Sequence, residues 1–64
     1  MQWLIWSFEH DAWWKANEIG YTRDLAEAGT YSFAKAIAIV GRANQYRGEK
    51  MPNEAMLPDY RKQV

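Results

Sequence analysis

Glu9, His10 and Asp11 stand side by side, and His10 is the only histidine in the 64-residue chain. An imidazole flanked by carboxylates is raw material for general acid–base catalysis near neutral pH. The same three side chains, together with Glu54, are of types that bind zinc, manganese or iron. Neither chemistry is supported by spacing. Adjacent residues of a strand or turn point in different directions. Ser7 and Thr22 have no base at a telling separation, and the four ligand types match no metal motif. The residues read as a turn histidine that hydrogen-bonds a hairpin loop. No enzyme activity, metal or cofactor is expected.

The aromatic signal is stronger. All four tryptophans fall between Trp3 and Trp14, and aromatic residues make up 16% of the chain. Trp6, Trp13, Trp14 and Tyr21 are of the types that build a platform for a nucleobase or a cage for a cation. Arg23, Arg42 and Arg47 offer charge to a phosphate beside such a platform. Gly20 and Gly29 form no phosphate-binding pattern, so no nucleotide fold is indicated. The competing assignment is core. A chain this short buries only roughly 60% of its unfolded surface. It has no cysteine, hence no disulfide to compensate. Dense packing or self-association must then supply stability. The residues expected to meet another molecule are Trp6, Glu9, His10, Trp13, Trp14, Tyr21 and Glu54.

Eight basic residues balance eight acidic ones. That balance argues against a nucleic-acid binder driven by phosphate contacts, and against sequence-specific binding of DNA or RNA. No apolar run approaches the ~20 residues of a membrane span. Met1 to Ser7 is short and lacks the basic start of a signal peptide. A soluble protein of the cytoplasm is expected.

These side chains need elements to position them. Gln2 to Phe8 predicts a strand with Trp3 and Ile5 on one face and Leu4 and Trp6 on the other. Glu9 to Asp11 predicts the turn, and Ala12 to Lys15 the second strand of a hairpin. Trp13 and Trp14 then face opposite sides. Asn17 to Gly20 predicts another turn, with positive φ at Gly20, and Tyr21–Thr22 a short third strand. Asp24 caps a single helical turn, with Glu27 at the capping-box position and Gly29 ending it. Ser32 caps the one substantial helix, Phe33 to about Tyr46. Its apolar stripe is read as Phe33, Ile37, Val40 and Ala43, with Ala36 beside it and Ile39 to the side. Gly41 is read as a close contact with a tryptophan. Arg47 to Asn53 is a loop, and Glu54 to Leu57 an edge strand or strap. Residues 1–57 form one domain, and 58–64 a loose tail.

The expected fold is α+β: a small antiparallel sheet of two to four strands with one helix packed on one face. One helix cannot cover both apolar faces of such a sheet. A homodimer through the uncovered face or edge is therefore expected.

The segments WLIWSFEHDAWW, GYT, AGTYS and PNEAMLPD together resemble a family of very small proteins encoded by tailed phages and prophages of Gram-negative bacteria. The shared residues are Trp6, Ser7, Glu9, His10, Ala12, Trp13 and Trp14, then Gly20, Tyr21 and Thr22, then Asn53, Glu54, Ala55 and Met56. The resemblance implies a phage accessory factor acting in the host cytoplasm. On that footing the chain is read as an anti-defence inhibitor, similar in kind to anti-CRISPR proteins, that occludes a host protein. The alternative is an oligomeric module that sequesters a nucleotide-type small molecule between aromatic rings.

Overall fold

The computed structural model describes residues 1–45 and 53–62. It is a four-stranded antiparallel sheet with a single α-helix among the described residues. The strands are β1 (Trp3–Ser7), β2 (Ala12–Trp14), β3 (Tyr21–Thr22) and β4 (Glu54–Pro58), in the order β3-β2-β1-β4. The helix α1 spans Phe33–Asn44. Short 3-10 turns occupy Ala16–Glu18, Leu25–Glu27 and Tyr60–Lys62.

Local chemistry explains the connections. The β1–β2 turn closes with Asp11 at φ 54°, a left-handed conformation that Asp tolerates better than most residues. Ser7 Oγ accepts from the His10 backbone N–H at 3.1 Å inside that turn. Gly20 has φ 83°, as its position predicts, but Asn17 and Glu18 are also left-handed. The Tyr31 hydroxyl ties that second turn together. It accepts from Glu18 N at 3.0 Å and donates to the Lys15 carbonyl. Asp24 Oδ1 accepts from Ala26 N, capping Leu25–Glu27. Ser32 Oγ accepts from Lys35 N and caps α1.

Register and pleat divide the sheet into two faces. Trp6 lies opposite Trp13, and Ser7 opposite Ala12. Ile5 lies opposite Met56, and Ser7 also faces Glu54. One face therefore carries Trp3, Ile5, Ser7, Ala12, Trp14, Tyr21, Glu54 and Met56. The other carries Leu4, Trp6, Trp13, Thr22, Ala55 and Leu57. The helix covers the first. Ile5, Tyr31, Ala36 and Ile39 form the buried cluster, with Trp3, Trp14, Val40 and Met56 packed against it.

The expected stripe on α1 is rotated. Ala36 and Ile39 are buried and Val40 half-buried, while Phe33 is 53% and Ile37 47% exposed. A 3.6-residue period fits either set. What chooses is the approach to the sheet. Trp3 and Tyr31 exchange two backbone hydrogen bonds of 2.8 and 2.9 Å just before the helix begins. That bridge holds the start of α1 against β1, and alanine at 36 lets the helix sit close there.

Gly41 makes no close contact, because a Cβ there would meet nothing within 4 Å. The packed glycine is Gly29, where a Cβ would lie 2.3 Å from the Ala16 nitrogen. The chain beyond Leu57 is also fastened rather than loose over its described part. Pro58 lies in β4 opposite Trp3, and Asp59 N donates to Gln2 O. The Arg61 guanidinium grips the Asp59 carboxylate at 2.8 and 3.0 Å and donates to the carbonyls of Leu25 and Ala28. Tyr46, most of the Arg47–Asn53 loop, and residues 63–64 lie outside the described residues.

Candidate functional site

The fold splits six of the seven expected residues into two groups on opposite faces. Trp14, Tyr21 and Glu54 lie on the helix side, where His10 joins them. Trp6 and Trp13 lie on the other side. Glu9 is exposed in the hairpin turn.

The first group is a continuous chain of contacts around a buried carboxylate. Glu54 is only 3% exposed, and its Oε2 accepts from Trp14 Nε1 at 3.2 Å. The Tyr21 ring meets Trp14 edge-on, with centroids 5.8 Å apart. His10 stacks flat on Tyr21, with centroids 3.9 Å apart and planes at 15°. Its Nδ1 is 3.1 Å from Ser7 Oγ. Burial pushes the Tyr21 hydroxyl above its ordinary pKa, and the carboxylates of Glu54 and then Glu9 push it further.

Three participants lie outside the seven residues expected to meet another molecule. Ser7 is fully enclosed at the hairpin base. Asn44 Oδ1, at the end of α1, accepts from Asn53 N at 2.7 Å and Glu54 N at 2.9 Å, and its Nδ2 donates to Glu54 O. Asn53 Nδ2 donates back to Ala43 O. The two asparagines thus lock the helix end to the start of β4 and hold Glu54 in place. No periodicity marks them, because their partners are backbone atoms about ten positions away.

Serine, histidine and carboxylate invite comparison with an acyl-transfer site, but the geometry differs from one. A nucleophile must be reachable and its base must be oriented by the third group. Ser7 Oγ is sealed and engaged by the His10 backbone. The Glu54 carboxylate accepts from the Trp14 indole, while the imidazole stacks on the Tyr21 ring. The described residues include no group of three His, Cys, Asp or Glu side chains able to hold a metal ion. No helix among them is long and apolar enough to cross a membrane.

The second group has a different character. Trp6 and Trp13 pack edge-to-face, with centroids 4.9 Å apart and planes at 73°. Both rings are half-buried. Leu57 on the same face is 38% exposed. Phe8 continues the alternation of Leu4 and Trp6, its N–H donating to Asn53 O, and is 45% exposed. No strand residue on this face is charged.

No family model, curated protein or solved structure matches this chain.

Proposed function

We propose that this protein is a small binding module that occludes a partner protein with the helix-free face of its sheet. The carrying observation is the Trp6–Trp13 pair. Two large rings, each half-buried, sit next to exposed Phe8 on an uncharged strand face whose Leu4 is fully buried. Interface hot spots favour tryptophan and cluster at the centre of a patch. Each ring also fixes the other, so little side-chain freedom is lost on docking. The resemblance to small phage proteins supplies the partner class, a host protein of a defence system met in the host cytoplasm.

A nucleotide-type ligand is the second reading, and the His10–Tyr21 stack favours it. Both residues are exposed, and a base added to such a stack gains roughly 1–3 kcal/mol. Trp6 and Trp13 offer less to a base, because their T-shaped packing leaves no slot between the rings.

Tagged protein expressed in a bacterial host tests both readings. Copurification of a host complex, lost in Trp13→Glu and kept in Tyr21→Ala, is the result the first reading expects. Nucleotide released on denaturation and lost in Tyr21→Ala would overturn it in favour of the second.

A further inference from the structure

Leu4 is fully buried, yet it lies on the face of the sheet that α1 does not cover. The chain between β3 and α1 supplies the cover. β3 and β1 are both antiparallel to β2, so they run the same way. β3 ends at Thr22, opposite Trp13, whose partner on β1 is Trp6. Gly29 N then donates to Trp14 O, and Tyr31 bridges to Trp3. The chain has therefore returned from the level of Trp6 to that of Trp3, three residues or about 10 Å along β1. With α1 on one face, the return crosses the other. Ala28 is buried and Leu25 half-buried in that crossing.

The crossing segment, residues 24–28, is lightly held. Its 3-10 turn, Leu25–Glu27, contains no buried residue, and Ala26 and Glu27 are exposed. Ala26 N and Glu27 N bond to Asp24, Ala28 N to Leu25 O, and Asp24 N to Thr22 Oγ1. From farther along the chain comes one side chain. Arg61 Nη1 donates to Leu25 O at 2.7 Å and to Ala28 O at 3.2 Å. Asp59, its side chain only 3% exposed, grips the same guanidinium through both carboxylate oxygens.

We propose that residues 24–28 are a lid on the helix-free face, latched by Arg61, and that opening the lid adds Leu4 to the docking strip. Leu4, Trp6 and Phe8 are alternate residues on one side of β1 and its extension, so the strip lengthens along the strand. Gly29 is the fixed end of the lid, packed on the Ala16 backbone and bonded to Trp14 O. Segments with few buried apolar contacts open without unfolding the rest of a domain. The core of Ile5, Ala36 and Ile39 lies on the other side of the sheet and is not disturbed. The consequence for binding rests on the reading of Trp6 and Trp13 as a docking site. A partner that needs Leu4 binds only the open form, so its apparent affinity is reduced by the open fraction.

The chain has no cysteine, so an introduced thiol is the only one. Leu4→Cys and Ile5→Cys place it at two fully buried positions, one under the lid and one under α1. Slow labelling with a chromogenic disulfide reagent, under native conditions, reads how often each is uncovered. The thiol at position 4 is expected to react at least ~10-fold faster than the one at position 5, which waits for the core to unfold. Ile39→Val loosens the core, and is expected to speed position 5 several-fold and leave position 4 unchanged. Arg61→Ala removes two charge-assisted bonds to the lid, and is expected to speed position 4 by ~10-fold or more. If Arg61→Ala does not fold, Arg61→Lys makes the same comparison, since it keeps the charge beside Asp59 but not the guanidinium fork. Equal rates at the two positions overturn the proposal. So does a rate at position 4 that rises with Ile39→Val, or one that ignores the loss of Arg61. None of these results bears on Trp6 and Trp13 themselves, whose role is tested separately by capture with Trp13→Ala.

Discussion

Each face of the sheet receives two tryptophans, and the two pairs have different surroundings. Trp3 and Trp14 pack on the core that α1 closes, and Trp14 is anchored through its indole nitrogen to the buried Glu54. Trp6 and Trp13 pack on each other, on a face with no α-helix among the described residues. All four are half-buried, so exposure alone does not tell them apart. What separates them is whether the neighbouring atoms belong to the fold's closed core or to one another. The first pair serves stability. The second pair is the one proposed to meet another molecule.

Substitutions that act on one face at a time test this division. Ile5 is fully enclosed beneath α1. Ile5→Ala is expected to cost about 3 kcal/mol through the cavity it leaves, a large share of the stability of so small a domain. Urea denaturation followed by circular dichroism should show the midpoint fall steeply. Trp14→Phe keeps a ring but removes the N–H from Glu54. A buried carboxylate short of one donor predicts a loss of about 2 kcal/mol, measured the same way. Trp13→Ala removes only a half-buried ring and its partner contact, so a loss of about 1–1.5 kcal/mol is expected. If Trp13→Ala destabilises as much as Ile5→Ala, the two faces are equally structural.

The smallest effect concerns alkaline pH. Burial raises the Tyr31 hydroxyl above 10.0, the Glu18 carboxylate adds to this, and the hydrogen bond from Glu18 N opposes it. Tyr21 is raised as well, by burial first. A group whose folded pKa exceeds its unfolded value favours the folded state while it is protonated. The stability these two tyrosines supply is therefore complete below pH 10 and declines as pH rises through their folded values. Ultraviolet titration of phenolate should show at least two tyrosines ionising late. Ordinary values for every tyrosine would mean that the helix-side cover is looser than described.

Much of this fold is legible from neighbours in sequence. The hairpin from Trp3 to Trp14, the Ser32 cap and the positive φ of Gly20 depend on residues a few positions apart, and they match expectation. The rotation of α1 does not depend on such neighbours. Its apolar residues repeat on two arcs, and the Trp3–Tyr31 bridge decides which arc turns inward. Gly29 and Gly41 look alike in sequence, and only the approach of the Ala16 backbone distinguishes them. The grip of Arg61 on Leu25 and Ala28 joins parts of the chain more than thirty positions apart. Of the candidate site, alternation along the strands correctly sends Trp13 and Trp14 to opposite faces. It cannot show that Glu54 returns beside Ser7 to meet Trp14, because β4 arrives only after the helix.

Capture of a protein from a bacterial host by tagged wild type, compared with tagged Trp13→Ala, is the most direct check on the role proposed for the helix-free face. Circular dichroism and melting should first establish that the variant is folded. A folded variant that no longer holds the protein captured by wild type is the predicted result. A folded variant that holds it undiminished would contradict the assignment of Trp6 and Trp13 to binding.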